Sequence, residues 1–122
     1  MTSSMERSVR NTRFAIADLQ KRIAILEATR DDLNRQMTKL VASVPEDEIE
    51  AGAERDGYVA YGSYAKSVIE RKVNLRKTLS DIEGQTSNLA EELRMALSAL
   101  DSFERVRARQ MAAKAEKALR RA

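Results

Sequence analysis

The chain has 122 residues, of which 34% are charged and 4% aromatic, and it contains no cysteine and no histidine. That length favours one domain, and this charge-rich, aromatic-poor composition is typical of long helices. Without Cys or His the chain lacks the usual zinc ligands, a thiol nucleophile and the commonest general base. We therefore predict a protein that is not an enzyme and that needs no metal or cofactor.

The net charge is +3, but the charges are unevenly distributed. Residues 1–13 carry three arginines against Glu6, and residues 104–122 carry seven basic residues against two glutamates. Residues 45–57 carry six acids against Arg55. The start of the chain has no apolar stretch after its charges, and no run approaches the roughly 18 apolar residues of a membrane span. These features predict a cytoplasmic protein without membrane insertion.

The first helix is predicted over about 3–44, because its apolar residues recur at alternating spacings of three and four. Ser3 or Ser4 can cap its start, and Pro45 should end it. The positions on this spacing are Met5, Val9, Thr12, Ile16, Leu19, Ile23, Leu26, Arg30, Leu33, Met37, Leu40 and Val44.

An acidic connector is predicted over 45–57, with Asp56–Gly57 as the breaker before the second helix. Its acids lack the D-x-D-x-D-G spacing of a calcium loop, so we interpret them as solvated side chains of a turn.

The second helix is predicted over about 58–118, with two weak places at Gly62 and Gly84. It is longer than the first, so its last fifteen or so residues should have no partner in the first helix. Its positions on the same spacing are Tyr58, Tyr61, Ala65, Val68, Lys72, Leu75, Leu79, Ile82, Thr86, Leu89, Leu93, Ala96, Leu100 and Phe103.

Two such heptad patterns predict an all-α fold, a long antiparallel two-helix coiled-coil hairpin. A loop centred near residue 51 would place residue i opposite about 102 − i. Met37 would then face Ala65, and Arg30 would face Lys72. These two cations could both reach solvent beside nearby acids, or they could form a polar layer that fixes the register. The spacing leaves open whether the hairpin closes within a monomer or is swapped between two chains of a weak homodimer.

Three tyrosines fall within seven residues at the start of the second helix. Tyr58 and Tyr61 fit the seam, while Tyr64 should lie at its flank. The rings could fill the space where the hairpin opens, or they could dock a partner, because tyrosine combines apolar area with a polar tip.

The clustered basic residues at the chain ends could contact phosphates. No aromatic side chain is interleaved with the basic residues of 105–121, and a charged helix face is usually just solvated. A nucleic-acid-associated coiled-coil protein is therefore only the second alternative, and nucleic acid is not among the partners that we predict.

The two long helices, the acidic connector and the block YVAYGSYAKSVIERKVNLRKTL resemble the flagellar export protein FliJ family. The resemblance covers essentially the whole chain, and its specific part is the tyrosine block followed by a heptad helix with Arg76 and Leu79. It implies the central stalk of a type III export ATPase, a coiled-coil hairpin that acts in protein export for the bacterial flagellum and motility, or in the related injectisome.

The resemblance also implies two partners. Residues early in helix two would bind the membrane export gate, and in this chain Tyr61, Tyr64 and Val68 occupy that stretch. The family's further contact positions fall on Arg71 and Leu75, where this sequence has other residue types. The gate contacts that we predict are Tyr58, Tyr61, Tyr64, Val68 and Arg71. Met37 and Val41 stand where the family has facing tyrosines. The paired termini would enter the export ATPase hexamer, with contacts from Arg7, Arg10, Arg13, Phe103, Arg105, Arg107 and Arg109.

The implied location is cytoplasmic and peripheral, at the export apparatus of the inner membrane, and export chaperones are further candidate partners. The first alternative function is a generic coiled-coil adaptor or export chaperone that uses the same seams.

Overall fold

The computed structural model describes residues 4–43 and 55–121, with the side chains of the second range described from residue 62 onward. Helix α1 runs Ser4–Ala42 and helix α2 runs Arg55–Arg121. The two helices pack against each other as an antiparallel pair, and the described residues include no strand. The predicted all-α two-helix hairpin is thus confirmed.

Both helices begin or end close to the predicted residues. Helix α1 stops at Ala42, where the Ser43 N–H donates to the carbonyls of Lys39 at 3.0 Å and Leu40 at 3.3 Å. Helix α2 begins at Arg55 rather than at residue 58, so the predicted breaker Asp56–Gly57 lies in its first turn. Val44 and the connector residues 45–54 lie outside the described residues.

The apolar seams form where the heptad spacing predicts them. Every described position of both predicted seams has a buried or half-buried side chain. Val9 is 1% exposed, and the other buried side chains are Ile16, Leu19, Leu40, Val68, Ile82 and Leu89. The core is therefore one narrow layer between two helices, and no polar or charged side chain is buried within the described part of the chain.

The chain divides into two compact units. The connector unit is Ile25–Thr86, and the terminal unit is Met1–Ala24 with Ser87–Ala122. Each unit contains a stretch of α1 paired with a stretch of α2.

The register of the connector unit follows from a contact at its edge. The Tyr64 hydroxyl lies 3.2 Å from the carbonyl oxygen of Ser43 and 3.2 Å from its Oγ. These residues each precede a seam position, so they flank the seam on the same side. With the heptad spacing, this contact is compatible with Met37 level with either Val68 or Leu75. The groove that Leu40, Val68 and Leu75 line together selects Leu75.

In the terminal unit, an ion pair on the other flank of the seam defines the register. Arg13 Nη2 donates to Glu104 Oε1 at 2.8 Å. Both residues directly follow a seam position, and the spacing then places Val9 level with Phe103.

The register predicted from a loop centred near residue 51 is wrong by about ten residues, or roughly 15 Å along the helix. Arg30 therefore does not face Lys72, and their predicted polar layer does not form. Arg30 instead donates to Asp31 at 3.3 Å. The heptad spacing, with Met37 level with Leu75, places Lys72 level with Leu40. A heptad seam looks alike at every repeat, so only the flanking contacts distinguish one register from the next.

Helix α2 extends beyond the start of α1. The observed register places residue 108 level with Ser4, and every side chain from Ala108 to Arg121 is exposed. The predicted overhang is confirmed. We call Ala108–Arg121 the α2 extension.

The register can be tested by thiol crosslinking, because the chain has no native cysteine. We expect a short crosslinker to join Met37→Cys and Leu75→Cys within one chain. The matched pair Met37→Cys and Ala65→Cys, which the loop-centred register would juxtapose, should not react. Crosslinking of the second pair in place of the first would contradict the register.

Candidate partner-binding surfaces

A groove of about 350 Å³ runs along one flank of the connector unit. Tyr64, which is 41% exposed, forms one end, and Val68, which is 5% exposed, lies at the floor. Arg71 stands exposed at the rim. A second cleft of about 220 Å³ shares Gln36, Arg71 and Leu75 with it. We call these two cavities the tyrosine groove; they are lined by Gln36, Lys39, Leu40, Ser43, Tyr64, Ser67, Val68, Arg71, Asn74, Leu75 and Thr78.

The tyrosine groove brings together three of the five predicted gate residues. Tyr64 lies at the seam's flank, as predicted, and its hydroxyl is held by Ser43. Val68 is a seam residue, so it supplies the floor and not an exposed contact. The side chains of Tyr58 and Tyr61 lie outside the described residues.

Two residues of α1, Met37 and Val41, were predicted to face this surface. One lies in the seam and the other lies on the opposite flank. Met37 is half-buried in the seam. Val41 is 53% exposed, and it directly follows a seam position, so it lies on the flank opposite Tyr64. The groove therefore has polar walls over an apolar floor, an arrangement that suits a peptide segment bearing one apolar side chain.

The predicted ring contacts all lie in the terminal unit. Phe103 and Arg107 are half-buried, while Arg7, Arg10, Arg13, Arg105 and Arg109 are exposed. Arg105 pairs with Asp101 at 3.1 Å along α2. The structure gathers only some of these arginines at one place.

That place is a groove of about 560 Å³ in the terminal unit, here called the arginine groove. It is lined by Glu6, Val9, Arg10, Arg13, Phe14, Ala17 and Arg107. Arg10 and Arg13 come from α1 and Arg107 comes from α2, so the antiparallel pairing is what brings them together. Among the described residues, Arg10 and Arg107 have no ion-pair partner.

Phe14 belongs to this groove and was missed by the sequence analysis, which considered only seam positions and clustered charges. Its side chain is 69% exposed. The sequence contains one signal for Phe14. It is a phenylalanine at a heptad position that should face solvent, between Arg13 and Ala17. Large aromatic side chains are over-represented where partners bind.

Elsewhere in the terminal unit, the charges form ordinary surface pairs. Arg94 donates to both carboxylate oxygens of Glu91, at 2.6 and 3.1 Å. These hydrogen bonds, and then the attraction of the opposite charges, hold the pKa of Glu91 below its usual range. Glu91 therefore stays ionised near neutral pH, as expected of a solvated carboxylate that supports its own helix.

The described residues include no group of three or more acidic, His or Cys side chains placed to hold a metal ion. Within the same part of the chain, neither helix has a stretch apolar and long enough for a membrane span.

Comparison with known proteins gives no relative for this chain: no protein-family model, curated protein or solved structure matches it.

The Arg13–Glu104 ion pair should contribute little to stability, because its side chains are 57% and 38% exposed. In a double-mutant cycle with Arg13→Gln and Glu104→Gln, we expect a coupling of about 0.2–1 kcal/mol, measured by urea unfolding. The coupling should shrink further at high salt.

The Asp101→Asn and Arg105→Gln cycle is the control, since that pair lies within α2 alone. A coupling of Arg13 with Glu104 above about 2 kcal/mol would be outside the range of exposed pairs. Arg13 would then stabilise the fold through Glu104 and would not be available to bind a partner.

Proposed function

We propose that this chain is a non-enzymatic, FliJ-like coiled-coil stalk of a type III protein export apparatus. It would work in the cytoplasm, peripherally at the inner membrane, and link the export ATPase ring to the membrane export gate. The observation that carries the proposal is the terminal unit, where the antiparallel pairing gathers three arginines around an exposed phenylalanine and leaves a basic helix uncovered.

The terminal unit is the surface that we assign to the ATPase ring. Its arginines are mostly exposed, and those in ion pairs are held by solvated partners, as for Arg13 and Arg105. Such charges steer a basic surface towards an acidic one and add little to the lifetime of the complex. A stalk that must turn inside a ring needs that combination of fast association and weak retention.

The connector unit is the surface that we assign to the export gate. The tyrosine groove offers an aromatic edge at Tyr64, a guanidinium at Arg71 and an apolar floor at Val68. These groups are typical of a protein-binding patch, because aromatic residues and arginine are enriched among the contacts that carry binding energy.

A coiled-coil adaptor or export chaperone is the second candidate. It is favoured by exposed apolar side chains away from both grooves, namely Ile25 at 57%, Ile69 at 60% and Val73 at 56%. Ile69 and Val73 lie one helical turn apart on α2, so together they offer a small apolar contact for another helix.

The test is binding of the purified chain to the assembled export ATPase hexamer of its host. Replacing Arg105, Arg107 and Arg109 by Glu should weaken binding at least about tenfold, because three attractive charges become repulsive. Binding by the unmodified chain should also fall as salt is raised.

The matched control reverses three exposed cations of the connector unit: Lys66, Arg76 and Lys77 are replaced by Glu. This variant should bind the hexamer as the unmodified chain does. Failure of the unmodified chain to bind the hexamer would contradict the stalk and favour the adaptor. Equal losses in both variants would show that only net charge matters.

A further inference from the structure

The α2 extension is amphipathic along its whole length. On a helix of 3.6 residues per turn, its apolar stripe spans an arc of about 120° that contains no charged residue. Met111 is 62% exposed and Leu119 is 78% exposed, so neither is covered. The members of the stripe are Ala108, Met111, Ala112, Ala115, Ala118 and Leu119.

This stripe continues the arginine groove. Arg13, which lines the groove, crosses to Glu104 on α2. Ala108, Met111 and Ala115 follow Glu104 by about one, two and three turns, so they lie on the same side of α2. Groove and stripe therefore form one docking track, defined here as Val9, Phe14 and Arg107 followed by the stripe of the α2 extension.

The charge beside the track is strongly basic. Arg120 pairs with Glu116 at 2.8 Å, which leaves Glu116 neutralised. Arg109, Lys114, Lys117 and Arg121 have no ion-pair partner within residues 4–43 and 62–121. A second copy of the same stripe would bring like charges together, so the charge favours an acidic partner over self-association.

The shape of the track favours a helix as the occupant. Four of the stripe's side chains are alanines, which let a second helix approach closely, and Met111 and Leu119 provide the larger knobs. From the level of Phe14 to Leu119 the track is roughly 31 Å long, enough for about 21 residues of helix. A stripe of alanines offers too little apolar area to hold a helix in a lipid interface.

We propose that this docking track binds an acidic amphipathic α-helix of a protein partner. Apolar residues of that helix lie against Phe14, Met111 and Leu119, and its carboxylates face Arg10, Lys114 and Arg121. The proposal deepens the ring contact proposed above, and it rests on that function only for the identity of the partner.

The decisive variant removes the two knobs without changing charge: Met111→Asn with Leu119→Asn. Its matched control is Met95→Asn with Ile25→Asn, since Met95 is 60% and Ile25 is 57% exposed and neither is on the track. Circular dichroism melting should show similar stability for both full-length variants, because all four side chains are exposed.

The first probe is a designed helical bundle with one exposed Ala–Leu stripe flanked by glutamates. We expect isothermal titration calorimetry to show binding to the unmodified chain and to the control. The knob variant should bind at least about tenfold more weakly, since it loses two large apolar contacts. The same bundle with lysines in place of the glutamates should not bind.

Three results would overturn the proposal: equal binding by the knob variant and the unmodified chain, binding of anionic phospholipid vesicles but not of the acidic bundle, or a dimer that the knob variant abolishes. The second probe, the export ATPase hexamer, separates the two proposals. If the chain binds the bundle but does not bind the hexamer, the stalk proposal is contradicted and the docking track is retained. If the knob variant binds both the hexamer and the bundle as the unmodified chain does, the stalk proposal is retained and the docking track is contradicted.

Discussion

The heptad seam between α1 and α2 is the interaction on which the other features of this protein depend. It buries one narrow layer of side chains, and most other side chains that the structure describes are exposed to solvent. Within residues 4–43 and 62–121 no second apolar layer packs against either helix, so the pairing itself positions the surface groups. The arginine groove illustrates this, because its cations come from both helices and meet only in the observed register.

Much of the fold could be predicted from the sequence, since a spacing of three and four identifies the buried positions without a structure. The described seam positions from Met5 to Phe103 are all at least half-buried. The register could not be predicted in this way, because each heptad offers the same apolar stripe to its partner. It depends on flanking contacts between distant residues, such as Arg13 with Glu104 and Tyr64 with Ser43.

The same limit applies to the functional surfaces. Tyr64 could be placed at the flank of the seam from its position one residue before Ala65. Predicting that Arg10 and Arg13 lie beside Arg107 requires the correct register. Centring the loop near residue 51 gave the wrong one. Phe14 could not be predicted for a different reason. Heptad spacing identifies buried residues, whereas Phe14 lines the arginine groove as an exposed residue.

Helix α2 is longer than α1, and its unpaired end is the surface to which we assign part of the proposed function. Where α1 begins, pairing stops, and a basic amphipathic helix continues alone. An isolated helix of about this length is only marginally stable in water. A partner that covers the α2 extension would therefore stabilise its helical conformation.

Amide hydrogen exchange along α2 of the free chain tests this account most directly. We expect protection up to about residue 107, where the observed register ends the pairing with α1, and rapid exchange over Ala108–Arg121. Protection that continues undiminished to Arg121 would contradict the account, because it would mean that the extension is already covered in the free chain.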